Sequence, residues 1–532
     1  MRLSIAQITS FSQALTIVPA RDAQRVVERV VWDTRALQAG ALFIALPGEK
    51  ADGNDFLCEA FAKGAAVAIA SRRPTEAERH AAEQNRAALL YAPDGQLALQ
   101  RLASAWREQL RARVVGITGS SGKTGTKALI AAVLERAFLT VSSLGNRNNE
   151  VGLPATVLAA SASTEALVVE MAMRGLGQIE ELCAIARPQV GVITNIGPVH
   201  LELLGSKEAV ARAKAELISS LPDRSGIAIL NGDDPYTPFI REIAQSAERE
   251  LHVVLFGLGS HNDIRASAID YDLDGRPSFE LWLTDGRPHR LSLRLQGEHS
   301  VLNALAAAAV GISLGVAIPQ IVDALAQAQP VPMRQVCHEL ADGSLLIDDC
   351  YNANPDSMGA ALRLLEHLPA SRVRIAALGG MGELGADEVA LHESVGALVQ
   401  QSGVDVLVTI GELALHYADG ARAAGMDPER IISCENVEEA ACALNDLRLR
   451  YAAGAPDAPA APPDVAAPPD APDAAPAPAD AASSAPPSAS SAPPSAPIIL
   501  VKASRFMALE ALVASVLATP IPSAEDEGGD AS

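Results

Sequence analysis

Short apolar runs alternate with helical stretches rich in Ala, Leu and Glu from about residue 111 onward. The first strand-like runs are RVVGITG, ALVVEMA, VGVITNI and IAILNGD. A second set begins near Ser344 and consists of LLIDDC, RIAALGG, VDVLVTIG, RIISC and IILVKAS. This alternation predicts βαβ units around a mainly parallel sheet, because parallel strands need crossover connections. The predicted fold class is therefore α/β.

The same pattern divides the chain into three predicted domains. Residues 1–110 form a smaller mixed segment, with ALFIAL and GAAVAIA as its clearest strands, followed by domains over 111–328 and 329–518. Residues 452–497 contain 14 of the 34 prolines, a composition that cannot bury a core, which predicts a disordered insertion. Because the strand IILVKAS follows it, the insertion interrupts the third domain. Residues 519–532 are predicted to be a disordered tail.

Composition and charge narrow the class of protein. The net charge of −22 argues against a nucleic-acid-binding protein, because no basic face can dominate such a surface. The run VLNALAAAAVGISLGVAIP lacks aromatic and cationic anchors, which favours a buried helix with a strand or turn over membrane insertion. The N-terminus is a poor signal peptide, and the six cysteines are scattered without a CxxC pair. We therefore expect a soluble, cytoplasmic protein.

The stretch GITGSSGKTGTK, Gly116 to Lys127, is typical of a phosphate-binding loop. It fails the strict G-x-x-x-x-G-K-[ST] pattern, since Ile117 stands where the first glycine belongs. Its context nevertheless fits, because a predicted strand precedes it and an amphipathic helix follows, so that backbone N–H groups favour an anion. Lys123 could then reach the β- and γ-phosphates, and the Thr124 hydroxyl could hold Mg²⁺. An ordinary strand-to-helix turn is the alternative.

Polar residues follow the next predicted strands. Glu170 comes after ALVV, Asn195 and His200 come after VGVIT, and Lys214 lies in ARAKAEL. At the carboxyl edge of a parallel sheet beside a phosphate loop, a carboxylate and an imidazole are placed to organise metal and phosphate. Taken alone, Glu170 could equally be a surface acid and His200 a structural histidine.

These motifs resemble the Mur ligases of peptidoglycan synthesis over nearly the whole chain except the insertion and tail. The loop TGSSGKT matches the T-G-x-x-G-K-T variant of that family, which explains the failed strict pattern. The other matching segments, in family order, are WDTRALQAGALFIALPGEKADGNDF, GNRNNEVGLP, EMAMRGLGQI, NIGPVHLELLGSKEAVARAKAEL, GEHSVLNALAA, DDCYNANPDSM, GGMGELG and LVKASRFMALE. The resemblance implies a small mixed α/β N-terminal domain, a central P-loop ATPase-like domain and a C-terminal Rossmann-like domain.

The resemblance also implies an activity. GNRNNEVGLP and DDCYNANPDSM are most similar to the family member that joins D-alanyl-D-alanine to UDP-N-acetylmuramoyl-tripeptide. A monomeric, ATP-dependent amide ligase is implied, working through an acyl phosphate and using two Mg²⁺ ions. Whether the third residue of the peptide is diaminopimelate or lysine stays open.

The resemblance also implies the residues of the site. By resemblance, ATP would be contacted by Gly119, Ser120, Ser121, Gly122, Lys123, Thr124, Asn303, Arg334 and Asp349. The metal ions would be held by Thr124, Glu170, His200 and a carbamylated Lys214, with Lys123, Lys214, His200 and Arg334 as the catalytic set. The substrates would be contacted by Asp33, Thr34, Arg35, Asn148 and Asn149 and, on the dipeptide side, Asn352, Asn354 and Ser504. The chain departs from the family at Trp32, Gly125, Ser300 and Ala503.

Three other interpretations of the sequence compete with this one. The pattern Gly380-x-Gly382-x-x-Gly385, with Asp405 twenty residues later, imitates a dinucleotide fingerprint and suggests an NAD oxidoreductase. Asp405 opens its predicted strand, however, whereas the ribose-binding acid belongs at a strand's end. A second reading is a different relative, such as another Mur ligase or a folylpolyglutamate synthase. A third is an inactive scaffold whose insertion recruits partners.

Overall fold

The computed structural model describes residues 1–48, 51–452 and 496–519. The chain divides into two compact units. The first contains Met1–Val331 with Glu383–Ala386, and the second contains Pro332–Gly382 and Asp387–Ser532. Nearly all of the predicted insertion at 452–497 and of the predicted tail at 519–532 lies outside the described residues, so both stay predictions.

The first unit begins with a small mixed region. Its strands and helices are β1 (Leu3–Ser4), α1 (Ile5–Ser12), β2 (Leu15–Val18), β3 (Val26–Val27), β4 (Val30–Val31), β5 (Leu42–Ile44), α2 (Leu57–Ala62), β6 (Val67–Ala70), α3 (Glu76–Gln84), β7 (Ala88–Tyr91) and α4 (Gly95–Gln109). Five strands form a sheet in the order β2-β7-β6-β5-β4, and β1 pairs with β3. The predicted strands ALFIAL and GAAVAIA are confirmed as β5 and β6.

The rest of the first unit is built around a larger sheet. Its elements are β8 (Arg113–Thr118), α5 (Lys123–Leu134), β9 (Thr140–Ser142), α6 (Gly152–Ala159), β10 (Ala166–Glu170), α7 (Gln178–Ala186), β11 (Val190–Ile193), α8 (Leu201–Leu204), α9 (Lys207–Ser219), β12 (Ile227–Asn231), α10 (Thr237–Ile243), β13 (His252–Gly257), β14 (Ile264–Tyr271), β15 (Pro277–Trp282), β16 (Pro288–Ser292), α11 (Glu298–Leu314) and α12 (Ile318–Gln327). The sheet order is β16-β15-β14-β13-β12-β11-β8-β10-β9. Strands β9 to β14 pair in parallel, as predicted, and β8 lies between β10 and β11.

The far side of this sheet was not predicted. Strands β14, β15 and β16 pair antiparallel, and burial alternates residue by residue along β15. Such strands alternate apolar and polar positions instead of forming continuous apolar runs. A search for apolar runs therefore passes over them.

The long Ala-rich run is a buried helix, as predicted. It forms α11, whose alanines from Ala304 to Ala309 are all buried, and it ends at Gly315, which has a left-handed backbone (φ 84°). Helix α12 follows after two further residues. Among the described residues no helix is both long enough and apolar enough to cross a membrane.

The two larger sheets of the first unit both contribute to one buried apolar cluster. Helix α4 carries Leu99, Leu102 and Trp106 into the same buried cluster as Leu153 and Val157 of α6. The Trp106 indole N–H also donates to the Ala160 carbonyl at 2.9 Å. The predicted boundary at 110 falls between α4 and β8, inside a single compact unit.

The second unit has one sheet. Its elements are β17 (Val336–Glu339), β18 (Leu345–Asp349), α13 (Pro355–His367), β19 (Arg374–Gly379), α14 (Glu388–Gln401), β20 (Val406–Ile410), α15 (Leu415–Ala423), β21 (Ile431–Cys434), α16 (Val437–Ala452), β22 (Ile498–Lys502) and α17 (Glu510–Ala518). The order is β17-β18-β22-β19-β20-β21, parallel except for the pair β17–β18. All five predicted strands are confirmed.

Buried and half-buried arginines fasten the chain on both sides of residues 453–495. The guanidinium of Arg448 in α16 pairs with Asp342 at 3.0 Å and donates to the Val516 carbonyl at 3.0 Å. Arg372 donates to the carbonyl of Ala496 at 2.7 Å, just before β22. The segments that precede and follow those residues are thus each anchored to the second unit.

Candidate nucleotide site

Three adjacent strands of the first unit end at the same edge of the sheet. Strand β8 leads into the glycine loop, β10 ends at Glu170, and β11 leads into the segment that carries Asn195 and His200. Because parallel strands present their carboxyl ends together, the sheet order β11-β8-β10 collects these predicted residues at one place.

The glycine loop depends on two residues that lack a side chain. Gly119 has a φ of 152°, and a Cβ there would stand 1.8 Å from the Thr194 hydroxyl. Gly122 has a φ of 77°, and a Cβ there would stand 2.7 Å from Asn303 Oδ1. A side chain at either position therefore conflicts with its neighbours, which explains the glycines of TGSSGKT.

Asn195 clamps the loop from the neighbouring strand. Its Oδ1 accepts from the Ser121 N–H at 2.9 Å, and its Nδ2 donates to Ser121 Oγ at 2.6 Å. The Thr194 hydroxyl donates to the Ser121 carbonyl at 2.6 Å. The sequence indicated Asn195 only as a polar residue after a strand, and its contact with the loop became visible in the structure.

Helix α5 starts directly after the loop, at Lys123. The N-terminus of a helix carries a partial positive charge and favours a bound anion. The Lys123 ammonium folds back and donates to the Gly119 carbonyl at 2.6 Å. Lys123 therefore lies over the loop, where a nucleotide's phosphates would bind.

Asn303 reaches the loop from α11. Its Oδ1 accepts from the Thr126 hydroxyl at 2.9 Å, and a Cβ at Gly125 would stand 3.0 Å from its Nδ2. Gly125, one of the departures from the family, thus gives the Asn303 amide room to approach the start of α5. Its predicted contact with adenine stays a prediction.

Two of the predicted magnesium ligands touch each other. The Thr124 hydroxyl donates to Glu170 Oε2 at 3.0 Å, and Glu170 is buried. Asn148 Nδ2 donates to Glu170 Oε1 at 2.9 Å, and the Lys127 ammonium lies 3.4 Å from Glu170 Oε2. A buried carboxylate beside a hydroxyl fits Mg²⁺, which prefers oxygen ligands and completes its shell with phosphate and water. Among the described residues no group of three or more His, Cys, Asp or Glu forms a metal cluster.

Lys214 and His200 lie close enough to Lys123 for its positive charge to lower the pKa of both groups. Lys214 is 2% exposed, and burial, helped by Lys123, holds its pKa well below the usual lysine value. Burial also lowers the pKa of His200, against the opposing effect of Glu383, with which His200 forms a hydrogen bond. Both nitrogen groups are therefore biased towards their neutral forms.

The loop predicted to contact the uridine diphosphate has an internal ion pair. Asp33 caps the short turn Thr34–Ala36, and its carboxylate lies 2.7 Å from the Arg35 guanidinium. Hydrogen bonds from Arg35 lower the pKa of Asp33 to about 2. The Arg147 guanidinium lies 5.4 Å from the ring centre of Trp32, within cation–π range. Trp32, which departs from the family, therefore has a partner in the segment that also carries Asn148 and Asn149.

In the second unit, two residues predicted to contact ATP already have partners. The Arg334 guanidinium lies over the Tyr351 ring, 4.1 Å from its centre. Asp349, the last residue of β18, pairs with the buried ammonium of Lys502 at 2.7 Å. Each of the two side chains therefore has a neighbour within the second unit.

The residues predicted on the dipeptide side hold neighbouring loops together. Asn354 caps helix α13 through the Ser357 N–H at 2.8 Å, and Asn352 Oδ1 accepts from the Arg505 N–H at 3.3 Å. The buried Ser504 hydroxyl donates to the Ala353 carbonyl at 3.1 Å. Their direct contact with a substrate stays a prediction.

Comparisons with known proteins agree with this geometry. Family models match at residues 26–107 (Mur ligase family, catalytic domain), 117–311 (Mur ligase middle domain) and 333–450 (Mur ligase, glutamate ligase domain). The UDP-N-acetylmuramoyl-tripeptide–D-alanyl-D-alanine ligase of Mycobacterium tuberculosis H37Rv is 40% identical over 77% of this chain and 83% of its own length. The Escherichia coli K12 enzyme of the same name is 37% identical over 73% and 82%.

Solved structures of Mur ligases are also similar to this chain. A crystal structure of MurF from Acinetobacter baumannii matches with a TM-score of 0.79 and 29% identity, covering 98% of this chain and 99% of that one. The MurF ligase of Thermotoga maritima in complex with ADP matches with a TM-score of 0.71 and 25% identity, covering 92% and 97%. The predicted three-domain α/β architecture is thereby confirmed, and the chain belongs to the Mur ligase family.

Proposed function

We propose that the protein is an ATP-dependent amide ligase that joins D-alanyl-D-alanine to UDP-N-acetylmuramoyl-tripeptide, a step of peptidoglycan precursor synthesis. The observation that carries the proposal is the edge of the large sheet, where the glycine loop, Lys123, Thr124 and the buried Glu170 meet. The identity to D-alanyl-D-alanine ligases over most of the chain supports the choice of substrates.

The reaction needs the peptide carboxylate to become a better electrophile. An oxygen of the tripeptide's terminal carboxylate attacks the γ-phosphorus of ATP, the bond to ADP breaks, and an acyl phosphate forms. The free amine of D-alanyl-D-alanine then attacks the acyl carbon, loses a proton and expels phosphate. Repulsion between the anionic carboxylate and the anionic γ-phosphate raises the barrier to the first step.

Residues at the loop offset that charge. The Lys123 ammonium and the N–H groups at the start of α5 would bind the β- and γ-phosphates, and Arg334 would reach the γ-phosphate. Mg²⁺ bound by Thr124 and Glu170 would neutralise charge on the transferring phosphoryl group. Asp33, Thr34 and Arg35 would bind the uridine diphosphate, with Asn148 and Asn149 facing the muramyl peptide.

Lys214 is proposed to carry a carbamate. A buried lysine held neutral is a nucleophile, so its nitrogen can attack CO₂, forming an N–C bond and losing one proton. The product is an anion, which would support a second Mg²⁺ together with His200, where an ammonium would repel the ion. Burial of the Lys214 side chain is the observation that supports this.

The ligase is tested by phosphate release from ATP and Mg²⁺ with UDP-N-acetylmuramoyl-tripeptide and D-alanyl-D-alanine, omitting each in turn. We expect release only when both are present. Lys123→Ala should slow it by roughly a thousandfold, because a cation at the phosphates is lost. The exposed Lys207→Ala serves as the matched control. Release that continues without the dipeptide would contradict the substrate assignment.

The carbamate is tested by ¹³C NMR of the protein in ¹³C-bicarbonate. We expect one carbamate resonance that disappears in Lys214→Met and persists in Lys207→Met. A spectrum with no such resonance in the unmodified protein at neutral pH would contradict the modification.

We also propose that the protein is located in the cytoplasm and is a monomer. All six cysteines are free thiols, which supports a reducing compartment such as the cytoplasm. We expect a monomer, which light scattering on the purified protein would check against the chain mass of 55.3 kDa.

A further inference from the structure

Lys127 is a buried lysine with no role assigned by the proposed reaction. It lies on α5, one helical turn after Lys123, and its side chain is only 6% exposed. A lysine so deeply buried needs partners for its charge, because desolvating an unpaired ammonium is costly. Its partners therefore indicate what it does.

Two partners of the Lys127 ammonium belong to different parts of the site. The ammonium donates to the Gly145 carbonyl at 2.6 Å, and it lies 3.4 Å from Oε2 of Glu170. Gly145 belongs to residues 144–149, hereafter the substrate loop, which follows β9. Lys127 thus bridges the substrate loop and a proposed metal ligand.

The substrate loop touches the same carboxylate a second time. Asn148 Nδ2 donates to Glu170 Oε1 at 2.9 Å, and the Asn148 carbonyl accepts from the Ala172 N–H at 2.9 Å. Both oxygens of Glu170 therefore have donors, one from Asn148 and the other from Thr124 and Lys127. A metal ion that binds this carboxylate must share or replace those donors.

We propose that Lys127 is a positioning residue that occupies Glu170 until Mg²⁺ arrives, and so couples metal–nucleotide binding to the substrate loop. A dication at Glu170 repels the ammonium and weakens its hold on the carboxylate. The loop, tied to Glu170 through Lys127 and Asn148, is released and can rearrange around the muramyl peptide. The inference rests on the proposed function, in that it places Mg²⁺ at Glu170.

Competition for Glu170 gives the first test. ADP binding is measured by calorimetry at a series of Mg²⁺ concentrations for the unmodified protein, Lys127→Met, Lys127→Arg and the surface control Lys207→Met. We expect the half-saturating Mg²⁺ concentration to fall by about threefold or more in Lys127→Met, because a competing cation is removed. Lys127→Arg, which keeps the charge, and Lys207→Met should resemble the unmodified protein. A purely structural lysine would leave the Mg²⁺ requirement unchanged or raise it.

Loop release gives the second test, by hydrogen exchange of peptides that cover residues 144–149. Mg²⁺ with ADP should speed exchange there by about threefold in the unmodified protein, since the two ties to Glu170 weaken. In Lys127→Met exchange should already be fast without ligand and change less than about 1.5-fold on adding Mg²⁺ and ADP.

Asn148→Leu gives an independent variant, because it removes the other tie to Glu170 and keeps the buried Lys127 ammonium. It should also lose most of the ligand-induced change in exchange. Exchange that responds equally to Mg²⁺ and ADP in all variants would overturn the coupling alone. Failure of the unmodified protein to bind ADP with Mg²⁺ would instead overturn the proposed nucleotide site, and the coupling with it.

Discussion

Two glycine-rich turns follow strands in this chain, one after β8 and one after β19, and they use their backbones differently. In the first, GSSGKTG, helix α5 begins at Lys123, directly after Gly122. In the second, GGMGELG, helix α14 begins only at Glu388. There the Met381 N–H donates to His392 Nε2 at 2.9 Å, and the Gly382 N–H donates to Ser504 Oγ at 3.0 Å.

The difference shows why glycine spacing alone is a weak sign of a phosphate site. What decides is whether a helix N-terminus opens directly at the turn. In the first turn helix α5 begins at once, which brings the partial positive charge of a helix N-terminus to the turn. In the second turn side chains of the protein take the amides of Met381 and Gly382. This gives a physical reason against a dinucleotide site at Gly380, Gly382 and Gly385.

Adding a methyl group to each turn tests the comparison most strongly. Gly119→Ala places a Cβ against the Thr194 hydroxyl and should weaken Mg²⁺–ADP binding by at least about 100-fold, or about 3 kcal/mol. Gly382→Ala meets only the edge of the exposed Phe506 ring, 3.1 Å away, and should change ADP affinity by less than about twofold. Calorimetry measures both, with circular dichroism to check folding. Equal losses would mean that the two turns serve the nucleotide alike.

Removing the side chain that clamps each turn should have a smaller effect. Asn195→Ala takes away two hydrogen bonds to Ser121 and should weaken ADP binding by about tenfold. Ser504→Ala leaves the Gly382 N–H without its acceptor and should raise KM for D-alanyl-D-alanine by about tenfold, with ADP affinity unchanged. Steady-state kinetics and ADP titration separate these results. A loss of ADP affinity in Ser504→Ala would remove the distinction between the turns.

The smallest expected effect is a pH dependence confined to the second turn. Burial lowers the pKa of His392; the hydrogen bond to the Glu388 carbonyl and the charge of Glu388 raise it more weakly, and the nearby His416 lowers it a little further. As pH falls, His392 is therefore protonated in the unfolded chain at a higher pH than in the folded protein. Its contribution to the free energy of unfolding is complete above its ordinary pKa of about 6.5 and is lost as pH falls through the lowered value.

His392→Gln keeps an acceptor that does not titrate. The Tm advantage of the unmodified protein over this variant should shrink from pH 7.5 to pH 5.5, and exchange of the Met381 amide should follow it. A difference in Tm that stays constant across this range would show that His392 does not hold the turn through its neutral ring.

Much of this fold could be predicted from the sequence because buried parallel strands are continuous apolar runs. Glu170 was found for the same reason, since it is the first charged residue after such a run. The antiparallel strands β14 to β16 were missed because their apolar residues alternate with polar ones. Lys127 was missed because a lysine in a predicted helix is usually a surface residue. Its burial is visible only in the structure, where the substrate loop contacts its ammonium.

The remaining site residues show a different limit. Asn354 and Ser504 were proposed for substrate contact, yet sequence cannot separate a residue that touches a ligand from one that braces the loop beside it. Their hydrogen bonds to Ser357, Ala353 and Gly382 assign the bracing role, and substrate contact stays a prediction for both.

The arginines on either side of the Pro/Ala-rich segment have a consequence for evolution and for engineering. Arg448 anchors the chain before that segment and Arg372 anchors it after, so each flank is held without help from what lies between them. Such a place tolerates changes in length, because loop closure costs little more as a loop grows. We therefore expect this segment to tolerate lengthening, shortening or replacement, among relatives as in the laboratory, and a fluorescent reporter inserted between Ala452 and Ala496 to leave the enzyme active.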